Sequence, residues 1–231
     1  MPYAKYHDTT YSPAGLWQLN NDLTDASGNG FTLTVDAGTV RYTDVYPGLR
    51  GIIFDGSTRL IYNAATATLQ ITGDVTLEML FIPLTRTITG KYLSCNASGG
   101  SAGSDNYLYS VGFNTSVSSG SWEWQSQHGT NTSDTYDIPN NPTLNALNHV
   151  AVTRTSNVVQ NYLNGVAWGA ASSGLTTPTG GSISKFRIGG SSGVNGPTCI
   201  IASVKVIASA LTSAQVKSEY NNTLGNFYGY L

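Results

Sequence analysis

Two tryptophans, Trp122 and Trp124, stand two residues apart in Ser121-Trp122-Glu123-Trp124-Gln125. Side chains repeat every second residue along a strand, so both indoles face the same way. Facing solvent, they would form a flat platform for stacking sugar rings, which makes them the candidate ligand-binding residues. Facing inward, they would be core between two sheets, the commoner fate of so large an apolar side chain. Asp25 and Asn29, in Asp25-Ala26-Ser27-Gly28-Asn29-Gly30, are the candidate metal ligands. Calcium takes several oxygens, carboxylates included, and Asp22 or Asp55 would have to complete the set. Asp and Asn also serve tight turns by bonding their own backbone, and that reading carries more weight here. Calcium is the one cofactor under consideration.

Catalytic patterns are missing from the sequence. Hydrolysis of a glycosidic bond needs two carboxylates about 5 to 9 Å apart. On one strand that means closely spaced acids on one face, and this chain has no such cluster. Glu123 stands alone, Glu78 lies inside an apolar strand, and Asp74 belongs to the turn before it. His7, His128 and His149 are scattered, and there is no Gly-x-Ser-x-Gly elbow. No His or Cys pair has zinc spacing. The expectation is a protein that is not an enzyme.

Strands must position whatever site exists. Val75, Leu77, Met79 and Phe81 alternate with Thr76, Glu78, Leu80 and Ile82, and Tyr107 to Phe113 alternates in the same way. Val158 to Leu163, Asn164-Gly165 and Val166 to Trp168 read as a hairpin, because Asn-Gly accepts the two positive φ angles of a type I′ turn. Further strands are expected at Gly15 to Leu19, Phe31 to Val35, Gly51 to Phe54, Arg59 to Tyr62, Val150 to Arg154, Lys185 to Ile188 and Ile200 to Ile207. Short, regular spacing of turn residues argues for a sandwich. Thr212 and Gln215 form a capping box, and Leu211 and Val216 a hydrophobic staple. They predict one short helix from Ser213 to about Asn221. The domain reading is an N-terminal arm over 1–13, one domain over 14–224 and an aromatic tail over 225–231.

Composition narrows the partners. Of 231 residues 40% are hydrophobic, enough for a core, yet only 10% are charged, well below the usual quarter. Net charge is −2 and the 11 Lys and Arg residues form no basic run, so nucleic acid is not expected as a partner. No window approaches the ~20 apolar residues of a spanning helix, so membrane insertion is not expected. The N-terminal stretch from Met1 lacks an apolar h-region, which suggests a chain used without export. Cys95 and Cys199 read as two small buried hydrophobes rather than a disulfide framework, with a single bridge between them as the alternative.

Four segments, in order, resemble the laminin G-like, concanavalin A-like module. They are Gly15-Leu16-Trp17-Gln18-Leu19 with the Asp25 to Gly30 turn; Phe54-Asp55-Gly56 with Val75 to Met79; Asn148 to Arg154 with Tyr162-Leu163-Asn164-Gly165-Val166; and Phe186 to Gly190 with Ser203 to Val206 and Ala210-Leu211-Thr212. The resemblance implies an all-β, two-sheet antiparallel jelly-roll sandwich. It implies no single activity, since the fold hosts lectins, glycanases, adhesion modules and capsid proteins. It makes His149 a structural histidine. Ala202 and Ser203 occupy places that often carry an acidic pair in this family, which puts a calcium site in doubt. The function expected is a non-catalytic binding or structural module, first a phage virion surface, decoration or attachment protein, otherwise a secreted carbohydrate-binding module or lectin. Its partners would be other virion proteins or copies of itself, with cell-surface glycans as further ligands.

Overall fold

Alternation in Val75–Pro83 sends Leu77, Met79 and Phe81 into a shared core and turns Thr76, Glu78 and Leu80 to the opposite face. The computed structural model describes residues 11–63, 68–86, 90–97, 107–114, 121–127, 133–138, 140–178, 183–190 and 196–228. Among these, fifteen strands and one helix form two antiparallel sheets packed as a sandwich, a concanavalin A-like jelly roll.

The strands are β1 (Gly15–Gln18), β2 (Thr34–Ala37), β3 (Tyr42–Tyr46), β4 (Leu49–Asp55), β5 (Arg59–Tyr62), β6 (Val75–Pro83), β7 (Gly90–Ala97) and β8 (Tyr107–Asn114). They continue with β9 (Ser121–Gln127), β10 (Ser133–Ile138), β11 (Asn148–Thr155), β12 (Val158–Leu163), β13 (Val166–Trp168), β14 (Ile183–Ile188) and β15 (Thr198–Ile207). The eight-stranded sheet runs β13-β12-β11-β6-β15-β4-β3, with β1 also paired to β15. The seven-stranded sheet runs β10-β9-β8-β7-β14-β5-β2. Asn164 and Gly165 have φ of 52° and 73°, the two positive angles the β12–β13 hairpin requires.

Aromatic rings fill the space between the sheets. Trp17 of β1 stacks on Phe186 of β14 with centroids 4.6 Å apart, and its Nε1 donates to the Phe31 carbonyl at 2.7 Å. Phe81, Tyr92, Trp122 and Trp168 make a second group that bridges both sheets. Cys95 and Cys199 are both free and buried, and burial pushes the Cys95 thiol up to about 12.

The helix α1 (Ser213–Tyr228) starts where the capping box places it. The Thr212 amide donates to Gln215 Oε1 at 2.8 Å, and the Gln215 amide to Thr212 Oγ1 at 3.4 Å. Leu211 and Val216 pack in one cluster with Ala151, Tyr162 and Ile207. The helix does not stop near Asn221 but runs through Gly225 to Tyr228. A helical Gly costs only about 1 kcal/mol, and no proline follows to end the helix. The first four residues of the expected tail are therefore helical, and 229–231 lie outside the described residues, as do 1–10 of the expected arm. Tyr11 packs beside Val216, so the described N-terminal end and α1 both lie on the outer face of the eight-stranded sheet.

Candidate functional site

The outer face of the seven-stranded sheet carries a concentration of polar side chains. Its positions follow from the alternation: Tyr109, Val111 and Phe113 of β8 are core, so Ser110 and Gly112 face outward. Trp122 and Trp124 of β9 are core, so Ser121, Glu123 and Gln125 face outward. Phe186 and Ile188 of β14 are core, so Arg187 faces outward.

Cross-strand register assembles two rows. In the first, Asp137 of β10 lies opposite Glu123, Glu123 opposite Gly112, and Gly112 opposite Lys91 of β7. Lys91 reaches across Gly112 to form an ion pair with Glu123. A Cβ on Gly112 would sit 2.8 Å from Lys91 Cδ and 2.5 Å from the Gly90 carbonyl oxygen, so the missing side chain is what opens that path. Burial pushes the Lys91 ammonium down to about 8, against the opposing pull of Asp137. Ser121 Oγ donates to Asp137 Oδ1 at 3.1 Å.

In the second row, Gln125 lies opposite Ser110, Ser110 opposite Ser94, and Ser94 opposite Arg187. Asp36 joins Arg187 at 3.4 Å and Arg59 at 3.2 Å. Ser94 and Ser110 are buried, and Ser110 Oγ has no hydrogen-bond partner among the described residues. The result is a floor of Ser and Gly flanked by longer charged and amide side chains. Ser94, Ser110, Arg187, Glu123 and Lys91 are all buried, so the groups these rows offer to solvent are the half-buried Gln125 and the exposed Asp137.

The candidates from sequence fall elsewhere. Trp122 and Trp124 are 1% and 0% exposed and belong to the core, so they form no ligand platform. Trp122 stacks on Tyr92 with centroids 5.4 Å apart, and Trp124 on Tyr109 at 6.5 Å. Their Nε1 atoms have no hydrogen-bond partner among the described residues.

Asp25 is a turn organiser. Its Oδ1 accepts from the Leu16 and Ser27 amides at 3.0 and 2.9 Å, and its Oδ2 from Ser27 Oγ and the Phe31 amide at 2.7 and 3.0 Å. Asn29 Nδ2 donates to the Ala14 carbonyl at 3.1 Å. Among the described residues no group of three or more His, Cys, Asp or Glu side chains is placed to hold a metal. Asp25→Ala is expected to lower stability by about 2 kcal/mol, by orphaning three backbone amides, and denaturant unfolding with and without added calcium measures it. Equal loss in both conditions supports the turn role; a loss seen only with calcium would restore the metal reading.

One carboxylate pair escaped the sequence. Glu123 does not stand alone, because Asp137 is its direct partner on β10. Opposite residues in an antiparallel pair bring their Cβ atoms to about 5 Å. Glycanase chemistry needs one carboxyl held as a proton donor, whereas Glu123 is engaged as the anion of an ion pair. Lys91, Ser94, Ser110 and Arg187 were also missed. The available signal was the polar half of each alternating strand, read as a set once the core face is known. His7 and His128 lie outside the described residues.

This is a two-sheet sandwich of the lectin type with a polar outer face. A family model described as the concanavalin A-like lectin/glucanases superfamily matches residues 55–217, and the chain belongs to that superfamily. No curated protein matches. Among solved structures, domain 4 of AbnA, a GH43 extracellular arabinanase from Geobacillus stearothermophilus, in complex with arabinotriose, is similar at 17% identity and TM-score 0.68. That match covers 90% of this chain and 98% of the other. Botulinum neurotoxin type C, whose cell entry is dependent upon interaction with two ganglioside molecules, is similar at 13% identity and TM-score 0.68, covering 90% of this chain and 50% of that one. Trypanosoma rangeli sialidase with the inhibitor DANA is similar at 17% identity and TM-score 0.61, covering 89% of this chain and 32% of that one. This chain thus spans about half of the neurotoxin chain and about a third of the sialidase.

Proposed function

We propose that this chain is a non-catalytic glycan-binding module that uses the outer face of the seven-stranded sheet. The observation that carries the reading is the accessible pair Gln125 and Asp137, set on a face whose buried polar rows include the Lys91–Glu123 ion pair. Sugar hydroxyls pair with hydroxyl, amide and charged side chains of this kind, and sites built on strands are held more rigidly than sites on loops. The arabinotriose complex and the ganglioside-dependent neurotoxin add support by analogy of fold.

The setting proposed is the surface of a virion, where the module would decorate or attach, with a secreted lectin as the alternative. Geometry favours a tethered module. Tyr11 and α1 lie on the eight-stranded sheet, so a chain held there would turn the polar face of the other sheet outward. Its partners would be copies of itself or other particle proteins, with cell-surface glycans on the free side.

The test is an array of neutral and acidic oligosaccharides, probed with the wild type and with Gln125→Ala and Asp137→Ala. Binding is expected, weakened about tenfold by each substitution, or about 1.4 kcal/mol, in variants that remain folded. Absence of binding to every glycan, or binding untouched by both substitutions, overturns the assignment.

A further inference from the structure

The seven-stranded sheet is polarised by charge. No Lys or Arg lies between Lys91 and Arg154 in the sequence, whereas Asp105, Glu123, Asp134 and Asp137 all fall in that stretch. The stretch supplies β8, β9 and β10, which form one end of the sheet. Arg154 does not serve them: it lies on the other sheet, faces the core and donates to the Gly73 and Ile71 carbonyls. Arg59 and Arg187 do belong to the seven-stranded sheet, but on β5 and β14, where both hold Asp36. Strands sit about 4.8 Å apart, and β14 is four strands along from β10, so Arg187 lies roughly 19 Å from that edge.

The groups open to solvent at the β10 edge are acceptors and hydroxyls. Asp137 and Thr135 are exposed and stand two residues apart on the outer face, with Thr135 opposite the half-buried Gln125. Asp134 points the other way and accepts from the Thr176 amide, and Asp105 lies outside the described residues. The ammonium of this region, Lys91, is buried and turned onto Glu123. The rings of Tyr109, Phe113, Trp122 and Trp124 are core and that of Tyr136 packs against it, so none of these is presented for stacking. A ligand here is held through its hydroxyls. The Asp137 carboxylate accepts O–H donors, and the Thr135 and Gln125 side chains both donate and accept. Neighbouring sugar hydroxyls match that set. A carboxylate or sulfate on the ligand has no proton to give Asp137 and carries the same charge, and like charges set side by side reject a partner.

On the glycan-binding reading above, on which this step rests, we infer that Asp137 determines the specificity of the site: it admits neutral, hydroxyl-rich glycans and rejects sugars that carry carboxylate, sulfate or phosphate groups. Specificity is a difference of affinities, and here a repulsive contact supplies it. Asp137 is open to water, so the effect is moderate. Two like charges about 5 Å apart in a solvent-like dielectric change affinity roughly fivefold at low salt. Salt screens such a contact, so the preference fades as ionic strength rises.

The experiment is calorimetric titration of the full chain with matched trisaccharides, one member of each pair ending in glucose or galactose and the other in glucuronic or galacturonic acid. Within a pair the two differ only in a hydroxymethyl group against a carboxylate. The neutral member is expected to bind about fivefold more tightly at low salt, with the difference gone at about 1 M sodium chloride. Asp137→Asn keeps an acceptor for Ser121 Oγ and should abolish the preference. Gln125→Ala should weaken both members alike and leave the preference in place. Equal or tighter binding of the acidic member by the wild type at low salt, or a preference that survives Asp137→Asn, overturns the inference while glycan binding itself stands. Failure of every member of every pair to bind overturns the glycan-binding reading and the inference with it.

Discussion

Lys205→Met is expected to lower the stability of the domain by about 3–5 kcal/mol, the usual cost of stripping one partner from a buried ion pair. The reason is local and electrostatic. Lys205, Glu78 and Glu219 are each 0% exposed, so the carboxylates left behind have no water to turn to. Methionine retains much of the apolar stem, which separates lost charge from lost volume. Urea unfolding at pH 7, followed by tryptophan fluorescence, measures the difference. A companion protein carrying Glu78→Leu, Lys205→Met and Glu219→Leu should unfold near the wild-type midpoint or above it, because removing a whole buried ionic group is often neutral or favourable. A loss below about 1 kcal/mol in Lys205→Met would mean that the carboxyls are solvated or protonated rather than held as buried anions.

Legibility in the sequence depended on how local each signal was. The start of α1 was written in four residues, Thr212 to Gln215, whose caps need no tertiary context. Its end at Tyr228 was not, since no residue after Asn221 enforces a stop. Strands with one fully buried face, such as β6, alternate cleanly. The strands β3 and β10 passed unseen because they are sheet edges, with no fully covered face to enforce a period. The strand β7 is central but carries register shifts at Lys91/Leu93 and Cys95/Asn96, which break the period of two. Four family segments in order supplied the rest of the fold.

The site was harder to read for the same reason. Asp137 meets Glu123, and Lys91 meets Glu123 across Gly112, only after three strands take their places in the sheet. Glu78 looked structural, and it is, but its partners lie on β15 and on α1. Sequence gives the face a side chain shares with its own strand, not which strand lies beside it. The tryptophans show the converse: alternation put Trp122 and Trp124 on one face but could not say which face was core.

That uncertainty yields the second large effect. Trp122→Ala is expected to cost about 3–5 kcal/mol, the range for deleting a large buried aromatic side chain. Trp122 is 1% exposed and touches rings from both sheets: Phe81, Tyr92 and Trp168, with centroids 5.8, 5.4 and 5.8 Å away. Alanine would leave a cavity between the two sheets. Trp122→Phe should cost less, because a second ring keeps part of the stacking on Tyr92. Chemical denaturation reads the stability, and glycan titration of the fraction still folded reads the function. A core role requires a large stability loss with affinity per folded molecule nearly unchanged. The opposite pattern, weak binding in a protein that unfolds like the wild type, would return Trp122 to the surface and the ligand to its indole.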